Sequence, residues 1–472
     1  MNELIRLTAT EAVARLKAGD VTPMELIDAA EARHAEVDGA VNAMPTVCFD
    51  RARDHAKRLT VPDDPDPGHL YGLPVAIKDL SEVKGVRTTF GSMVYADNIP
   101  QRSDLMVERI EERGGLVVGK ANTPEFGAGA QTFNEVFGVT RNPYDIAKTP
   151  GGSSGGSAVV VATGQTWLAQ GSDLGGSLRI PAAFAGCVGL RPSPGRVPYG
   201  PGKLPFAPNG VQGPMARTVA DTALFLDTLC GFQSKDPISL PKPRRTYQQA
   251  VKDARPPKKV AFSMDMGISP IHPAIRDSIE KSLQHFRDMG AEIVESKVDF
   301  SCAEPVFQTL RAAQFAAAYQ PVLETDRDKL KPEVIWNIEK GLALTAADIG
   351  QAERTRADLF QRFQAQFDDI DIFVTPCTNT PPFSTELRYL EELEGKTFDS
   401  YISWLIMTFA ITITTCPAIS VPCGLTPDGL PVGLQIVGPQ RRDDIVLAAG
   451  EMFEQATGRA FTLPVDPRGT AG

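Results

Sequence analysis

Between Gly151 and Arg191 two glycine–serine clusters bracket one apolar run, and no charged residue falls between Lys148 and Asp173. Gly151–Ser157 reads Gly-Gly-Ser-Ser-Gly-Gly-Ser, Ala158–Gly164 reads Ala-Val-Val-Val-Ala-Thr-Gly, and Gly171–Arg179 reads Gly-Ser-Asp-Leu-Gly-Gly-Ser-Leu-Arg. The first cluster has the composition of a flexible linker. Linkers join domains, however, and are not normally followed at once by an apolar run and a second glycine cluster. The pattern predicts tight backbone that needs Gly for unusual φ/ψ and for the close approach of a ligand. Glycines also leave backbone N–H groups uncovered, so Leu174, Gly175, Gly176 and Ser177 together can aim several donors at one point. With Ser177 opening a helix over Leu178–Ala185, the helix dipole favours negative charge there. A serine beside such donors suits acyl transfer, with a nucleophile next to an oxyanion hole.

Ser177 needs a base. The five histidines are His34, His55, His69, His272 and His285, so none is local to the clusters in sequence. Lys78 is the better candidate. It ends Gly72-Leu-Pro-Val-Ala-Ile-Lys-Asp79, whose strand-like approach over Leu73–Ile77 carries the amine into a buried setting. Desolvation there lowers an amine's pKa, and a neutral lysine serves as base in Ser-Lys variants of the catalytic triad. The plainer alternative is a solvated charge at a strand end.

Gly72–Asp79, Pro150–Ser157 and Gly171–Ala182 resemble the amidase signature family. So do Gly189–Pro192, Gly213–Asp221 and Pro417–Pro422. The resemblance runs from about residue 70 to 230 and resumes near the C-terminus. It implies a triad of Lys78, a bridging Ser153 held on a cis peptide bond, and the nucleophile Ser177, with the oxyanion hole built from the N–H groups of Leu174, Gly175, Gly176 and Ser177. Ser172 stands where the family often has Thr, and Leu178 where it often has Ile; both keep the polarity of the position. The resemblance also matches Phe126–Gln131 to the loop lining the acyl side of the site. Gly127, Ala128, Gly129 and Ala130 would then form a substrate-binding wall of little side-chain volume, open to a bulky aryl or long-chain acyl group. A glycine-rich turn that merely lies near the site is the alternative. No metal or organic cofactor is implied.

The chain has 472 residues, and the signature spans too much of it for fine division. The expected architecture is one large α/β domain over 1–472, a central mixed β-sheet with helices on both faces. N-terminal helices fall in 1–60, the signature core in 70–230, a variable and mostly helical region in 234–370, and the C-terminal part of the core in 371–465. Thr8-x-x-Glu11 and Thr22-Pro-Met-Glu25 are capping boxes. A net charge of −10 argues against nucleic acid and anionic membrane as partners. Met1–Thr10 lacks the basic start and apolar run of a signal peptide. Seven scattered cysteines without CxxC spacing read as free thiols in a reducing compartment, so the expected location is cytoplasmic. Residues 402–421 carry no charge, but Pro417 and four threonines favour a buried helix ending near Ala410 and a strand around Ala418–Val421 over a membrane span.

Three short patterns are set aside. Gly114-x-x-x-x-Gly119-Lys120 approaches a phosphate-binding loop, but Ala121 replaces the Ser/Thr that would hold magnesium. Gly151-x-Ser153-x-Gly155 fits a nucleophile elbow without the strand that should precede it. Ser81-x-x-Lys84 has no companion Lys-Thr-Gly. Asp173 and Arg179 read as an ion pair bracing the glycine loop. The function expected is hydrolysis of a small-molecule carboxylic amide through a covalent acyl-enzyme on Ser177, with esters and carbamates left open and assembly into a homodimer left open. Two alternatives are the glutaminase subunit of a tRNA-dependent amidotransferase, working with a partner chain, and a non-catalytic binding module on the same fold.

Overall fold

Capping chemistry sets the first helices. In a computed structural model describing residues 1–458 and 464–469, Ala9–Ala18 and Pro23–Val41 are helices opened by the capping boxes of Thr8 with Glu11 and Thr22 with Glu25. The first stops at Gly19, whose φ of 78° suits the left-handed cap.

Eleven strands form one mixed sheet. In chain order they are β1 Thr46–Val47, β2 Pro74–Lys78, β3 Leu116–Ala121, β4 Leu168–Asp173, β5 Val188–Arg191, β6 Val211–Ala216, β7 Lys259–Phe262, β8 Glu292–Glu295, β9 Ile372–Pro376, β10 Ala418–Leu425 and β11 Pro431–Val437. The spatial order is β1-β3-β2-β4-β6-β5-β10-β11-β9-β7-β8. Strands β3, β2 and β4 run parallel, as do β9, β7 and β8, while the strands between are antiparallel. All residues of β2, β3, β6 and β11 are buried, the mark of strands covered on both faces.

Strand β10 shows how the two faces are covered. Ile419 and Val421 point to one side, where their methyls come within 3.5 Å of a Cβ placed on Gly450 in the helix Asp443–Ala456. Ser420 points to the other, where a Cβ on Gly433 of β11 would meet both Ser420 Oγ at 2.7 Å and Ala183 Cβ at 2.6 Å, in the helix Arg179–Ala185. The period of two thus sends alternate residues to different helices. The uncharged stretch 402–421 resolves into the helix Ile406–Thr412, wholly buried, and the start of β10. Among the described residues no helix is long and apolar enough to cross a membrane. The C-terminal stretch expected to run to residue 465 includes 459–463, which lie outside the described residues.

Candidate active site

The parallel strands β2 and β4 lie side by side, in register from Val75 against Leu168 to Ile77 against Gln170. Their carboxyl ends therefore reach the same edge of the sheet, the edge at which open α/β sheets present ligand sites. Lys78 ends β2 and Asp173 ends β4. Ser153 lies in the loop before the helix Gly155–Thr163, and Ser177 in the turn between β4 and the helix Arg179–Ala185. That second helix begins one residue later than the sequence suggests. The Leu178 N–H is drawn instead to Asp173 Oδ2, at 3.2 Å.

Lys78 is fully buried. Its Nζ lies 2.6 Å from Ser153 Oγ, 2.8 Å from Ser154 Oγ and 3.1 Å from Ser172 Oγ. The Gly152–Ser153 peptide is cis, as the resemblance implies. Burial holds the Lys78 amine well below its ordinary ionisation, and the more distant Asp173 carboxylate offsets only part of that. The sequence singles out Lys78 and Ser153, which lie in contact, but gives no sign of the contacts of Ser154 and Ser172. Each is one more serine in a serine-rich stretch, and nothing in the pattern ranks them.

Asp173 is spent on the loop. Its Oδ1 accepts from Arg179 Nη2 at 2.9 Å, Gly176 N at 2.9 Å and Arg191 Nη1 at 3.2 Å, and its Oδ2 accepts from Arg179 Nε at 3.0 Å. Burial alone would push this carboxyl up, but the two guanidinium groups outweigh it and hold it well below the usual range. Arg179 also donates to Thr408 O, Gln435 Oε1 and Thr412 Oγ1, so every part of its fork is used. The expected Asp173–Arg179 brace is present, and Arg191 extends it.

Of the four backbone N–H groups considered for an oxyanion, that of Gly176 already donates to Asp173. Those of Leu174, Gly175 and Ser177 carry no hydrogen bond among the described residues. Thr408 Oγ1 donates to Gly175 O at 2.7 Å and pins the loop from behind. Gly176 has φ of 122°, and a Cβ there would lie 2.1 Å from Thr408 Oγ1, so the position requires glycine on two counts.

Ser153, Ser172 and Ser177 open together into a cavity of about 450 Å³. No hydrogen bond joins the Ser153 and Ser177 hydroxyls among the described residues. The other walls carry several aromatic rings, among them Phe90, Phe126, Tyr199, Phe307, Tyr319 and Tyr401. None of the five histidines lines it; His69 packs edge-on against Tyr71 and against Gly114. Of the four small residues expected to form a wall, Gly127 and Gly129 line the cavity. Ala128 and Ala130 do not: both are buried in the hydrophobic core, because the backbone at 128 is extended and turns successive residues to opposite sides.

The set-aside patterns have other structures. Lys120 is buried inside β3 and pairs with Asp79 at 3.0 Å. Lys84 is exposed, and no strand precedes Gly151.

The model of the family described as Amidase matches residues 25–447. The chain is 35% identical to an acylamidase of Rhodococcus erythropolis over 98% of its own length and 97% of the relative's. It is 32% identical to a glutamyl-tRNA(Gln) amidotransferase subunit of Geotalea daltonii, over 96% and 98% of the two chains. Among solved structures, a bacterial aryl acylamidase of the amidase signature enzymes superposes with a TM-score of 0.89 at 28% identity, covering 97% of both chains.

Proposed function

The chain belongs to the amidase signature family and acts on amide C–N bonds as an amidase, and from that premise we propose that it does so through Lys78, Ser153 and Ser177. Neutral Lys78 takes a proton from Ser153 while Ser153 takes one from Ser177, and Ser177 Oγ attacks the amide carbonyl. The N–H groups of Leu174, Gly175 and Ser177 hold the resulting oxyanion, with Gly176 keeping the loop on Asp173. The proton returns through Ser153 to the leaving nitrogen, and the C–N bond breaks to leave an acyl group on Ser177. Water, deprotonated by the same relay, then releases the acid.

One observation carries this reading: a fully buried lysine that forms no ion pair among the described residues and whose amine lies 2.6 Å from a serine hydroxyl sharing a cavity with Ser177. A buried ammonium without a counter-charge is costly, so the amine rests neutral and free to accept a proton.

The glutaminase reading has the support of the Geotalea daltonii relative, whose full length the chain matches. A non-catalytic module is disfavoured by the intact Lys78, Ser153 and Ser177 set. The purified chain, without any partner, is expected to hydrolyse a simple aryl amide faster than glutamine. Turnover of glutamine alone would favour the amidotransferase reading, and turnover of neither would favour the binding module.

A further inference from the structure

Arg311 stands on the cavity wall without a counter-ion. It comes from the helix Ala303–Asp326, lines the cavity that holds Ser177, and is only 6% exposed. Other buried arginines are answered: Arg33, Arg179, Arg191, Arg196 and Arg356 each pair with a carboxylate, and Arg217 donates to the carbonyls of Ile5 and Leu7 away from the cavity. Arg311 forms no ion pair among the described residues. One amino group donates to Asn337 Oδ1, and the Tyr401 hydroxyl takes up a further bond. The guanidinium carbon lies 4.3 Å from the ring centroid of Phe315 and 5.4 Å from that of Tyr401. These groups orient the fork without neutralising it. Arg311 lines the cavity, so the N–H groups that these contacts leave over lie at its wall. Of the cavity's own carboxylates, Glu82 lies 3.8 Å from Arg102 and Asp173 is held by Arg179 and Arg191, and none of them, Asp104 included, forms an ion pair with Arg311 among the described residues.

A buried guanidinium fixed by its neighbours and lacking an anion is a receptor for one, since its planar fork matches a carboxylate in a bidentate pair. We propose that Arg311 anchors a carboxylate of the substrate, so that the preferred amides are acidic; this rests on the amide-hydrolase reading above. The carboxylate belongs either to the acyl part or to the amine part, and matched substrates separate the two.

The test measures kcat/KM on two pairs. Glutaryl-p-nitroanilide beside pentanoyl-p-nitroanilide places the charge on the acyl side, and 4-acetamidobenzoate beside acetanilide places it on the amine side. In one pair the wild-type chain should favour the acid. That preference should fall about 10- to 100-fold in Arg311→Met and return in part in Arg311→Lys, while the neutral member changes by less than about 3-fold. Retained neutral activity shows that the variant folds. A preference unchanged in Arg311→Met, or a neutral preference in both pairs, overturns the proposal while leaving amide hydrolysis standing. If no anilide is turned over, the amide reading fails on these substrates, and calorimetric titration with glutarate and 4-acetamidobenzoate decides the anchor separately. Binding that weakens in Arg311→Met supports it, and equal or absent binding overturns it.

Discussion

Lys78 and Lys120 are the two buried lysines among the described residues, and they differ in what surrounds the amine. Lys120 has the Asp79 carboxylate at 3.0 Å and donates to Ser81 O and Thr88 Oγ1, each at 2.7 Å. Lys78 has three serine hydroxyls and no ion pair. The second environment, buried and without a counter-charge, favours the neutral amine. The base therefore becomes available as pH rises through an ionisation below the usual 10.5. We expect Lys78→Ala to lower kcat/KM by about 10²- to 10⁴-fold at neutral pH, and by less in alkali, where hydroxide substitutes in part. The levelling-off that marks the Lys78 ionisation should be lost in this variant, leaving only the hydroxide-dependent rise. A profile of unchanged shape with most activity retained would move the role of base elsewhere, and His69→Ala is the comparison to run beside it. At this scale the residues that stand at ends of motifs were legible. Arg311 was not, because a single arginine in a helix of ordinary composition carries no sign of whether a carboxylate will meet it.

The loop Asp173–Ser177 takes its shape from the charges behind it. Replacing Asp173 by Asn leaves Arg179 and Arg191 buried together with nothing to balance them, and turns one of the two acceptors of the Gly176 and Leu178 N–H groups into a donor. Asp173→Asn should destabilise the fold by about 3–5 kcal/mol, read as a lowered urea midpoint. A loss below about 1 kcal/mol would show that the arginines find other partners. Local features of such elements were readable in advance. The capping boxes at Thr8 and Thr22 involve residues three apart, and the brace between Asp173 and Arg179 spans one turn of chain. What was not readable depends on distant segments. The helix Ile406–Thr412 supplies Thr408 to lock Gly175, and the spacing around residue 175 holds no trace of it. Gly127 and Gly129 of the loop at 127–130 line the cavity, but which residues of such a loop face inward depends on its backbone angles, and these follow from packing.

Across the whole molecule, the sheet order β4-β6-β5-β10 joins segments up to some 250 residues apart in the chain, so only the strands, and not their neighbours, follow from periodicity. The same long-range assembly buries charge in the cavity wall. Burial, reinforced by the Glu82 carboxylate, pushes the Asp104 carboxyl up to about 7 from 3.8. Between those values the folded chain holds a proton that the unfolded chain has lost, so stability declines as pH rises across that window. Asp104→Asn should flatten this decline in urea midpoints measured on either side of it, and an unchanged slope would assign the decline to other groups. The central claim concerns one oxygen in the entire chain, and intact mass after exposure to a serine-directed phosphonate tests it most directly. The account predicts a single adduct on the wild-type protein, localised to Ser177 by peptide mapping, and no adduct on folded Ser177→Ala. The same stoichiometric adduct on Ser177→Ala would contradict it.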